Sequence, residues 1–318
     1  MNELISIIIP TYNHAHYLER CLKSLENQTI KNYEIIIIDN HSIDNTRQII
    51  NKFKSLPIKY FLIKNDGIYA KSRNLGIKNS SGTIIAFLDS DDWWKSNKLY
   101  ECYEIIKKGY DMIYHDLELI DQNNNRKQIY LKGRHLKYPK FKDLIINGNQ
   151  INNSSVVIKK NVLAKVKYIN ENKHMKAAED YNTWIKVCLN NFKVYYLNKN
   201  LGFYQHHESG GSRKNMSNCT LIAIKEFKNL LSKNEYKKAL SRIIYINAKF
   251  LFEKQDYSQS ILKFKLSLSN ATSLIKLKSL FYIIISKMII REAIEFTSLN
   301  GHVGIVNAPI APVNSEPM

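Results

Sequence analysis

Two carboxylates one residue apart are the first candidates for chemistry in this sequence. Asp89 and Asp91 come directly after the apolar run 84–88, which is typical of a buried strand. Carboxylate oxygens at a strand end can face one hard divalent cation, and such a cation can bridge them to a diphosphate. A bare acidic triplet in a solvated turn is the plain alternative. Its position after a buried run favours the metal site.

The first 108 residues supply the elements that must position these carboxylates. Apolar runs at 4–9, 33–38, 57–63 and 83–88 alternate with helical patterns, and Asn13 is the predicted N-cap of the first helix. Such repeats predict parallel β-α-β units with right-handed crossovers, in which ligands bind at the carboxyl ends of the strands. The polar residues expected at those ends are Thr11, Asp39 and 89–92.

The rest of the chain divides into a less regular middle and a helical end. The middle predicts strands near 111–120, 154–158 and 194–197, a helix at 180–189, and a loop over Gly202–Arg213. Helical patterns alone follow from about Cys219. The predicted domains are a catalytic unit at 1–218 with halves at 1–110 and 111–218, a helical extension at 219–296, and a disordered tail at 297–318.

Four short motifs occur along the first part of the chain. They are SIIIPTYN at 6–13, IDNHSIDNT at 38–46, RNLGI at 73–77 and AFLDSDD at 86–92. With these motifs in family order and at family spacing, residues 4–94 resemble the nucleotide-binding half of inverting family-2 glycosyltransferases with the GT-A fold, and the resemblance resumes at 179–184. It implies an α/β fold with a Rossmann-like, mostly parallel sheet flanked by helices, here followed by an all-helical C-terminal extension.

The resemblance implies roles for residues on the donor side. Thr11 and Asp39 would contact the base and ribose of the donor nucleotide, and a carboxylate that accepts the imide N–H of uracil fits a UDP-sugar. The family often has a second Asp where this chain has Asn40, a departure that leaves Asp39 intact.

The resemblance also implies how the diphosphate and the sugar are held. Arg73 would hold the nucleotide or its phosphates, although a surface cation on a helix is the plain alternative. Asp91 would be the main ligand of Mn²⁺ or Mg²⁺, with Asp89 at the ribose or a metal-bound water. Asp92 would contact the donor sugar, and Trp93 is a candidate to stack on a sugar face.

The acceptor side carries the implied general base. Glu179 and Asp180 resemble the family's acidic pair beneath the acceptor, where Asp180 would take the proton of the acceptor hydroxyl. The alternative is that Asp180 only caps the helix that follows. The segment 204–212 resembles a His-containing segment that follows the last strand in this family. It implies His207 as a ligand of the metal or of a phosphate, with His206 as the competing choice, and a solvated loop histidine is the plain alternative.

Composition limits the partners and the location. The formal net charge is +19, which either reflects a Lys-rich composition or suits an acidic partner. Residues 225–291 alone carry 14 Lys or Arg against four acids, beside apolar stripes, which suits either a helical bundle or a helix on an anionic membrane. The expected acceptor is a glycan, for which a polyprenyl-diphosphate carrier is one form. No apolar run reaches the roughly 18 residues of a membrane span, so we expect a cytoplasmic protein, free or peripheral on the inner face of the membrane.

Three other functions compete with glycosyl transfer. A sugar nucleotidyltransferase would carry a glycine-rich loop after the first strand, where this chain has Pro10 to Asn13. A degenerate transferase serving as a helical adaptor would lack Asp91 or Asp180, and both are present. Nucleic-acid binding is supported only by net charge. The predicted function is therefore a metal-dependent inverting glycosyltransferase of cell-surface polysaccharide, O-antigen or capsule synthesis.

Overall fold

The described residues form one nine-stranded mixed sheet flanked by helices. We analysed a computed structural model that describes residues 3–121, 123, 125–207 and 215–299. The strands are β1 (Ile5–Thr11), β2 (Tyr33–Asp39), β3 (Ile58–Leu62), β4 (Ile84–Phe87), β5 (Trp93–Trp94), β6 (Met112–Ile120), β7 (Arg126–Leu131), β8 (Val157–Lys159) and β9 (Val194–Gln205). Their order is β3-β2-β1-β4-β8-β6-β9-β5, and β7 pairs with β6.

Eleven α-helices in the described part of the chain connect and follow these strands. They are α1 (Ala15–Glu26), α2 (Thr46–Lys52), α3 (Tyr69–Asn79), α4 (Lys98–Lys107), α5 (Lys140–Asn147), α6 (Lys160–Lys165), α7 (Glu179–Leu189), α8 (Ser217–Lys225), α9 (Lys233–Glu253), α10 (Tyr257–Ser267) and α11 (Ser273–Leu299). None of the helices that the structure describes combines the length and the apolar character needed to cross a bilayer.

The apolar runs of the first half form parallel strands, as predicted. Strands β1, β2 and β4 are buried on both faces, whereas β3, at the edge of the sheet, is partly exposed. β1 pairs in parallel with β2 and β4, and β2 pairs in parallel with β3. Because successive side chains of a strand point to opposite faces, Ile8 and Ile36 pack into one core cluster while Ile7 and Ile37 pack into the other. The sheet is thus fixed between two apolar layers, and its strand ends are held in a common register.

This register brings the carboxyl ends of β1 and β2 together. Thr11 pairs with Asp39, and β4 lies on the other side of β1. Asp89 follows β4 by two residues, so the predicted polar strand ends lie along the same edge of the sheet. The second half is mixed, because β8 runs antiparallel to both β4 and β6 whereas β9 runs parallel to β6.

The loop predicted over Gly202–Arg213 was wrong at its start. Strand β9 continues to Gln205, and its last residues pair with β6 through Leu117 and Ile120. A side chain at Gly202 would come within 3.0 Å of the Trp93 carbonyl oxygen, so the glycine permits the close approach of β5. At this position a glycine and polar residues therefore belong to a strand, β9, that packs closely against β5, and not to a loop. Residues 208–214 lie outside the described part of the chain.

The N-cap predicted for α1 was also wrong. Asn13 has a positive φ of 52°, and His14 occupies the cap position without a side-chain hydrogen bond to the helix. Asp44 accepts the N–H of Ala15, the first residue of α1, at 2.9 Å and also accepts the N–H of Thr46 in α2 at 3.1 Å. One carboxylate from the neighbouring loop thus serves the starts of both helices, which short-range sequence patterns do not reveal.

The helical extension is continuous with the catalytic unit. The boundary predicted between 218 and 219 falls inside α8, and Ile224 and Ile243 belong to the same core cluster as Trp184 of α7. Helices α10 and α11 pack on α9 around a smaller cluster of Ala248, Phe264 and Ile283. Helix α11 runs to residue 299, three residues into the predicted tail, and 300–318 lie outside the described residues.

Candidate active site

A cavity of about 1030 Å³ lies at the carboxyl ends of β1 and β4. Its walls come from the loops after these strands, the start of α3, strand β7, the amide-rich segment 149–153 and the start of α7. This is the place where ligands bind in open α/β sheets. Of the predicted site residues, Thr11, Arg73, Asp89, Asp91, Glu179 and Asp180 line it.

Arg73 joins the two acidic segments of the cavity. Its Nη1 donates to Oε1 of Glu179 at 2.7 Å, and its Nη2 donates to Oδ1 of Asp89 at 2.9 Å. Burial alone would lower the pKa of Arg73, but the two carboxylates raise it above its ordinary value. A permanently charged guanidinium therefore fixes the carboxylates of Asp89, from the end of β4, and Glu179, from the start of α7, in one arrangement.

Asp91 and His207 lie together at the cavity edge. Nε2 of His207 lies 2.8 Å from Oδ2 of Asp91, and each side chain is 20% exposed. Nδ1 of the same imidazole contacts the hydroxyl of Tyr17 at 3.2 Å, which orients the ring. His206, the competing candidate, has its backbone N–H bonded to the Ile120 carbonyl, and its ring has no recorded contact with Asp91 among the described residues.

The Asp91–His207 pair fits a divalent cation. Adjacent ligands of an octahedral ion with bonds of about 2.1 Å stand roughly 3 Å apart, close to the separation observed here. No cluster of three potential His, Cys or acidic ligands occurs among the described residues. An ion held here would therefore take its remaining ligands from water and substrate phosphates, as Mg²⁺ commonly does.

Asp180 lines the cavity from the start of α7. Helix α7 begins at Glu179 with Ala178 at the cap position, so Asp180 lies in the first turn, where its Oδ1 accepts the Tyr181 N–H at 2.7 Å. Burial, and next the adjacent Glu179 carboxylate, raise the pKa of Asp180 to about 7, although Arg73 opposes them. At neutral pH the group therefore exchanges a proton readily.

Thr11 lines the cavity, whereas Asp39 does not. Thr11 lines it, and its buried hydroxyl has no hydrogen-bond partner among the described residues. Asp39 is 2% exposed and is not part of the lining; it accepts hydrogen bonds from the Ser42 N–H and hydroxyl and from the Tyr60 hydroxyl. The neighbouring Asn40 lines the cavity instead. Asp39 therefore shapes the loop below the cavity.

Asp92 and Trp93 also lie outside the cavity lining. Asp92 is buried and accepts the N–H of Gln205 at 2.9 Å, and burial, then Asp91 and Asp89, raise its pKa well above the ordinary value. The Trp93 ring stacks on Phe203 at 4.9 Å. Both residues tie the acidic loop to β9, and neither lines the cavity, so their contact with the donor sugar stays a prediction.

Sequence reasoning missed several residues of the cavity. Asn153 donates to Oδ1 of Asp89 at 3.2 Å, and Nδ1 of His14 lies 2.9 Å from the Ser90 hydroxyl. The run NQINN at 149–153 supplies amide groups to one wall, and its composition was the available signal. Lys132, just after β7, and Lys176, in the segment before α7, also line the cavity, which no local pattern indicates.

Comparison with known proteins identifies the family. Residues 6–172, more than half of the chain, match the family described as glycosyl transferase family 2. The chain belongs to glycosyl transferase family 2. The match covers every donor-side residue discussed above and ends before α7.

Two relatives illustrate the range of similarity. The chain is 39% identical over 126 residues to the Escherichia coli enzyme UDP-Glc:alpha-D-GlcNAc-diphosphoundecaprenol beta-1,3-glucosyltransferase WfgD, covering 38% of this chain and 48% of that one. It is 30% identical over 233 residues to the uncharacterized glycosyltransferase alr2836 of Nostoc, covering 70% of each. This chain thus matches about half of the length of the Escherichia coli relative.

Solved structures share the fold. The S. aureus TarS 1–349 complex with UDP-GlcNAc has a TM-score of 0.58 at 19% identity, covering 91% of this chain and 92% of that one. The mannosyltransferase PcManGT from Pyrobaculum calidifontis, in complex with GDP-Man and Mn²⁺, has a TM-score of 0.56 at 15% identity, covering 89% and 86%. The GT-A fold and its C-terminal helices are therefore confirmed.

Proposed function

We propose that this protein is an inverting glycosyltransferase that moves a sugar from a UDP-sugar to a hydroxyl of a glycan acceptor. The observation that carries the proposal is the position of Asp180, whose pKa is raised to about 7, in the cavity that Asp91 also lines. A base and a cation ligand on one cavity are the two groups that glycosyl transfer from a diphosphate requires. Family membership supports the same reaction.

One group of residues binds the donor, and another acts on the acceptor. Thr11 supplies an unpartnered hydroxyl to the nucleotide, and Arg73 holds the Asp89 carboxylate in place beside it. Asp91 and His207 would hold Mn²⁺ or Mg²⁺, which would stabilise the charge of the leaving diphosphate.

Asp180 accepts the proton of the acceptor hydroxyl. The acceptor oxygen then forms a bond to the anomeric carbon from the face opposite the diphosphate, the bond from that carbon to the phosphate oxygen breaks, and the nucleoside diphosphate leaves. A single displacement of this kind inverts the anomeric configuration. Arg73 also holds Glu179 beside the base, so the two carboxylates stay together despite their like charge.

The similar proteins support the choice of donor and acceptor. TarS binds UDP-GlcNAc, and WfgD uses UDP-Glc and a diphosphoundecaprenol-linked acceptor. We therefore propose a UDP-sugar donor and a glycan acceptor carried on a polyprenyl diphosphate, in cell-surface polysaccharide, O-antigen or capsule synthesis. The amide-rich wall at 149–153 suits the hydroxyl groups of a sugar, because amides both donate and accept hydrogen bonds.

Donor hydrolysis tests the proposed reaction without knowledge of the acceptor. The purified protein is incubated with UDP- and dTDP-sugars and Mn²⁺, with and without a chelator, and release of the nucleoside diphosphate is followed. We expect metal-dependent release from one UDP-sugar by the wild type and none by Asp91→Ala. Absence of release from every donor, even with membrane lipid extract as acceptor, would contradict the proposal and favour a helical adaptor.

The outer face of α11 suits an anionic membrane surface as a second partner. Leu277, Phe281, Ile284 and Met288 recur at helical spacing, and each is more than half exposed. The opposite face of α11 is buried, at positions that include Ile275 and Ile283. The sequence 257–291 carries six Lys or Arg and no Asp or Glu. An apolar stripe beside cations is the pattern of a helix that lies in a lipid interface, so we propose that this face rests on anionic lipid.

Vesicle sedimentation tests the membrane proposal. We expect binding to vesicles that contain equal phosphatidylcholine and phosphatidylglycerol, weaker binding to phosphatidylcholine alone, and loss of binding when Lys276, Lys278 and Lys287 are changed to Gln. The control changes three exposed lysines elsewhere, Lys23, Lys54 and Lys108, to Gln. Equal binding by both triple variants, or self-association without lipid binding, would overturn this proposal.

A further inference from the structure

A second, smaller cavity adjoins the acceptor end of the candidate active site. It has a volume of about 180 Å³ and lies between α5, the start of α7, α8 and α9. Asn149, Ala177 and Met216 line both cavities. Tyr181 lines the smaller cavity, while the preceding residue, Asp180, lines the larger one. A molecule whose hydroxyl faces Asp180 would therefore have another part close to the smaller cavity.

The smaller cavity contains one charged side chain, Arg242 of α9. Burial lowers the pKa of Arg242, and the titratable groups that influence it are Tyr181, Arg134 and Tyr245, none of them a carboxylate. Arg134 is itself paired with Asp143. Within the described part of the chain, no carboxylate forms an ion pair with Arg242 and no acceptor takes a hydrogen bond from its guanidinium. A half-buried cation with no anion beside it is less stable than one that an anion accompanies.

The backbone beside Arg242 leaves room for its guanidinium. Gly148 ends α5 with a positive φ of 84°, and a Cβ at this position would collide with the guanidinium atoms of Arg242. The Tyr181 hydroxyl donates a hydrogen bond to the Leu144 carbonyl at 2.9 Å. The phenol oxygen therefore keeps its proton and offers Arg242 no negative charge. The surroundings thus position the cation without neutralising it.

Helix α9 is held firmly enough to place this residue. Lys142 of α5 forms an ion pair with Glu235 of α9 at 3.0 Å, and Ala239 and Ile243, which flank Arg242 on the helix, are buried in the main core. Arg242 therefore comes from the helical extension but belongs to the wall of the catalytic unit.

We propose that Arg242 binds a phosphate group of the acceptor, while the acceptor hydroxyl faces Asp180. The planar guanidinium fork matches two phosphate oxygens and forms charge-assisted hydrogen bonds with them. This inference rests on the proposed function, because it assigns the anion to the acceptor. It also gives the helical extension a role in substrate selection, since acceptors with a phosphate close to the reacting sugar are favoured over neutral ones.

Phosphate binding tests the site directly. Inorganic phosphate is titrated onto the protein with Mg²⁺ and saturating UDP, so that the donor site is filled, and line broadening in ³¹P NMR reports binding. We expect binding by the wild type and by the control Lys237→Gln, which removes an exposed charge from the same helix. We expect Arg242→Gln to raise the dissociation constant by about tenfold or more. Arg242→Lys keeps the positive charge but lacks the planar guanidinium, so we expect it to bind phosphate more weakly than the wild type and more tightly than Arg242→Gln.

The outcomes separate this inference from the proposed function. Absence of phosphate binding by the wild type, or equal binding by wild type, Arg242→Gln and Arg242→Lys, would overturn the Arg242 site even if the enzyme hydrolyses a UDP-sugar. If Arg242→Gln does not fold, the wild type and Arg242→Lys still decide the question. Failure of the wild type to hydrolyse any donor would instead count against the proposed function.

Acceptor kinetics identify the source of the phosphate. The ratio of kcat/KM for a sugar diphosphate ester over the matching phosphate-free glycoside is compared in wild type and Arg242→Gln, with short and long alkyl chains on the ester. We expect the ratio to fall in the variant. A fall for both chain lengths indicates recognition of the phosphate in any phosphorylated acceptor, and a fall for the long chain alone indicates a lipid-linked one. An unchanged ratio for both would contradict the proposal.

Discussion

The imidazole Nε2 of His207 lies 2.8 Å from Oδ2 of Asp91, although 116 positions separate the two residues in the chain. The contact exists because β9 continues past Gly202 to Gln205 and so carries its end to the loop after β4. One atom is a carboxylate oxygen, a ligand that suits Mn²⁺, and the other is an imidazole nitrogen, a common metal ligand in proteins.

The Asp91–His207 pair predicts metal-dependent nucleotide binding. Asp91→Ala should weaken UDP binding in the presence of Mn²⁺ by about 100-fold and His207→Ala by about tenfold, because each removes a ligand of the ion that binds the diphosphate. Calorimetry with and without EDTA measures this, and EDTA should reduce wild-type binding to the level of Asp91→Ala. His206→Ala is the matched control. Equal losses for the two histidine variants would rule out a specific role for His207.

We expect the loss of the buried Arg73 ion pairs to reduce the stability of the fold more than the loss of an exposed ion pair would. Arg73→Ala should lower the free energy of unfolding by about 3 kcal/mol, because it leaves the Glu179 carboxylate, whose side chain is 6% exposed, buried without its partner. Arg291→Ala, which breaks the exposed pair with Glu295, should cost less than about 0.5 kcal/mol. Urea unfolding measures both variants, and similar small costs would show that Arg73 does not hold the two carboxylates.

We expect the replacement of Lys98 by an apolar residue to stabilise the fold, by an amount that depends on pH. Its side chain is fully buried, its Nζ has no hydrogen-bond partner among the described residues, and burial lowers its pKa to about 7. The unfolded chain binds this proton up to about pH 10.4, so the cost of burying Lys98 is full below pH 7 and disappears as the pH rises towards the unfolded value.

Replacement of Lys98 by Met should therefore stabilise the protein by about 1–3 kcal/mol at pH 6 and by less at pH 9. Thermal unfolding at both pH values measures the gain, and Lys108→Met, on the exposed end of the same helix, is the control. A gain that grows with pH would show that the amine is not the source of the cost.

Features that depend on short stretches of sequence were predicted correctly, whereas features that depend on contacts between distant residues were not. Continuous apolar runs such as 33–38 predicted buried parallel strands, and parallel pairing then placed Thr11, Asp89 and Asp91 on one edge. The family resemblance placed Asp180 in the same site. These predictions rest on local periodicity and short motifs, which survive folding largely unchanged.

Long-range contacts decided the features that the sequence did not predict. Asp44 serves the starts of two helices, Gly202 lies in a strand, and Arg242 reaches the acceptor end from a helix of the extension. The contact of Asp39 with the donor base stays a prediction, whereas the hydrogen bonds that its two oxygens accept from Ser42 and Tyr60 were not predicted. Contacts between different segments of the chain set these positions, and local composition does not encode such contacts.

The pH dependence of kcat/KM shows whether Asp180 acts as the base of glycosyl transfer. The wild-type rate, measured as UDP release in the presence of acceptor, should rise with pH and level off above about pH 7, because only the carboxylate accepts the proton. Asp180→Asn should lower the plateau by about 100-fold or more and remove this rise. A variant that retained the wild-type plateau and the same pH dependence would contradict the account.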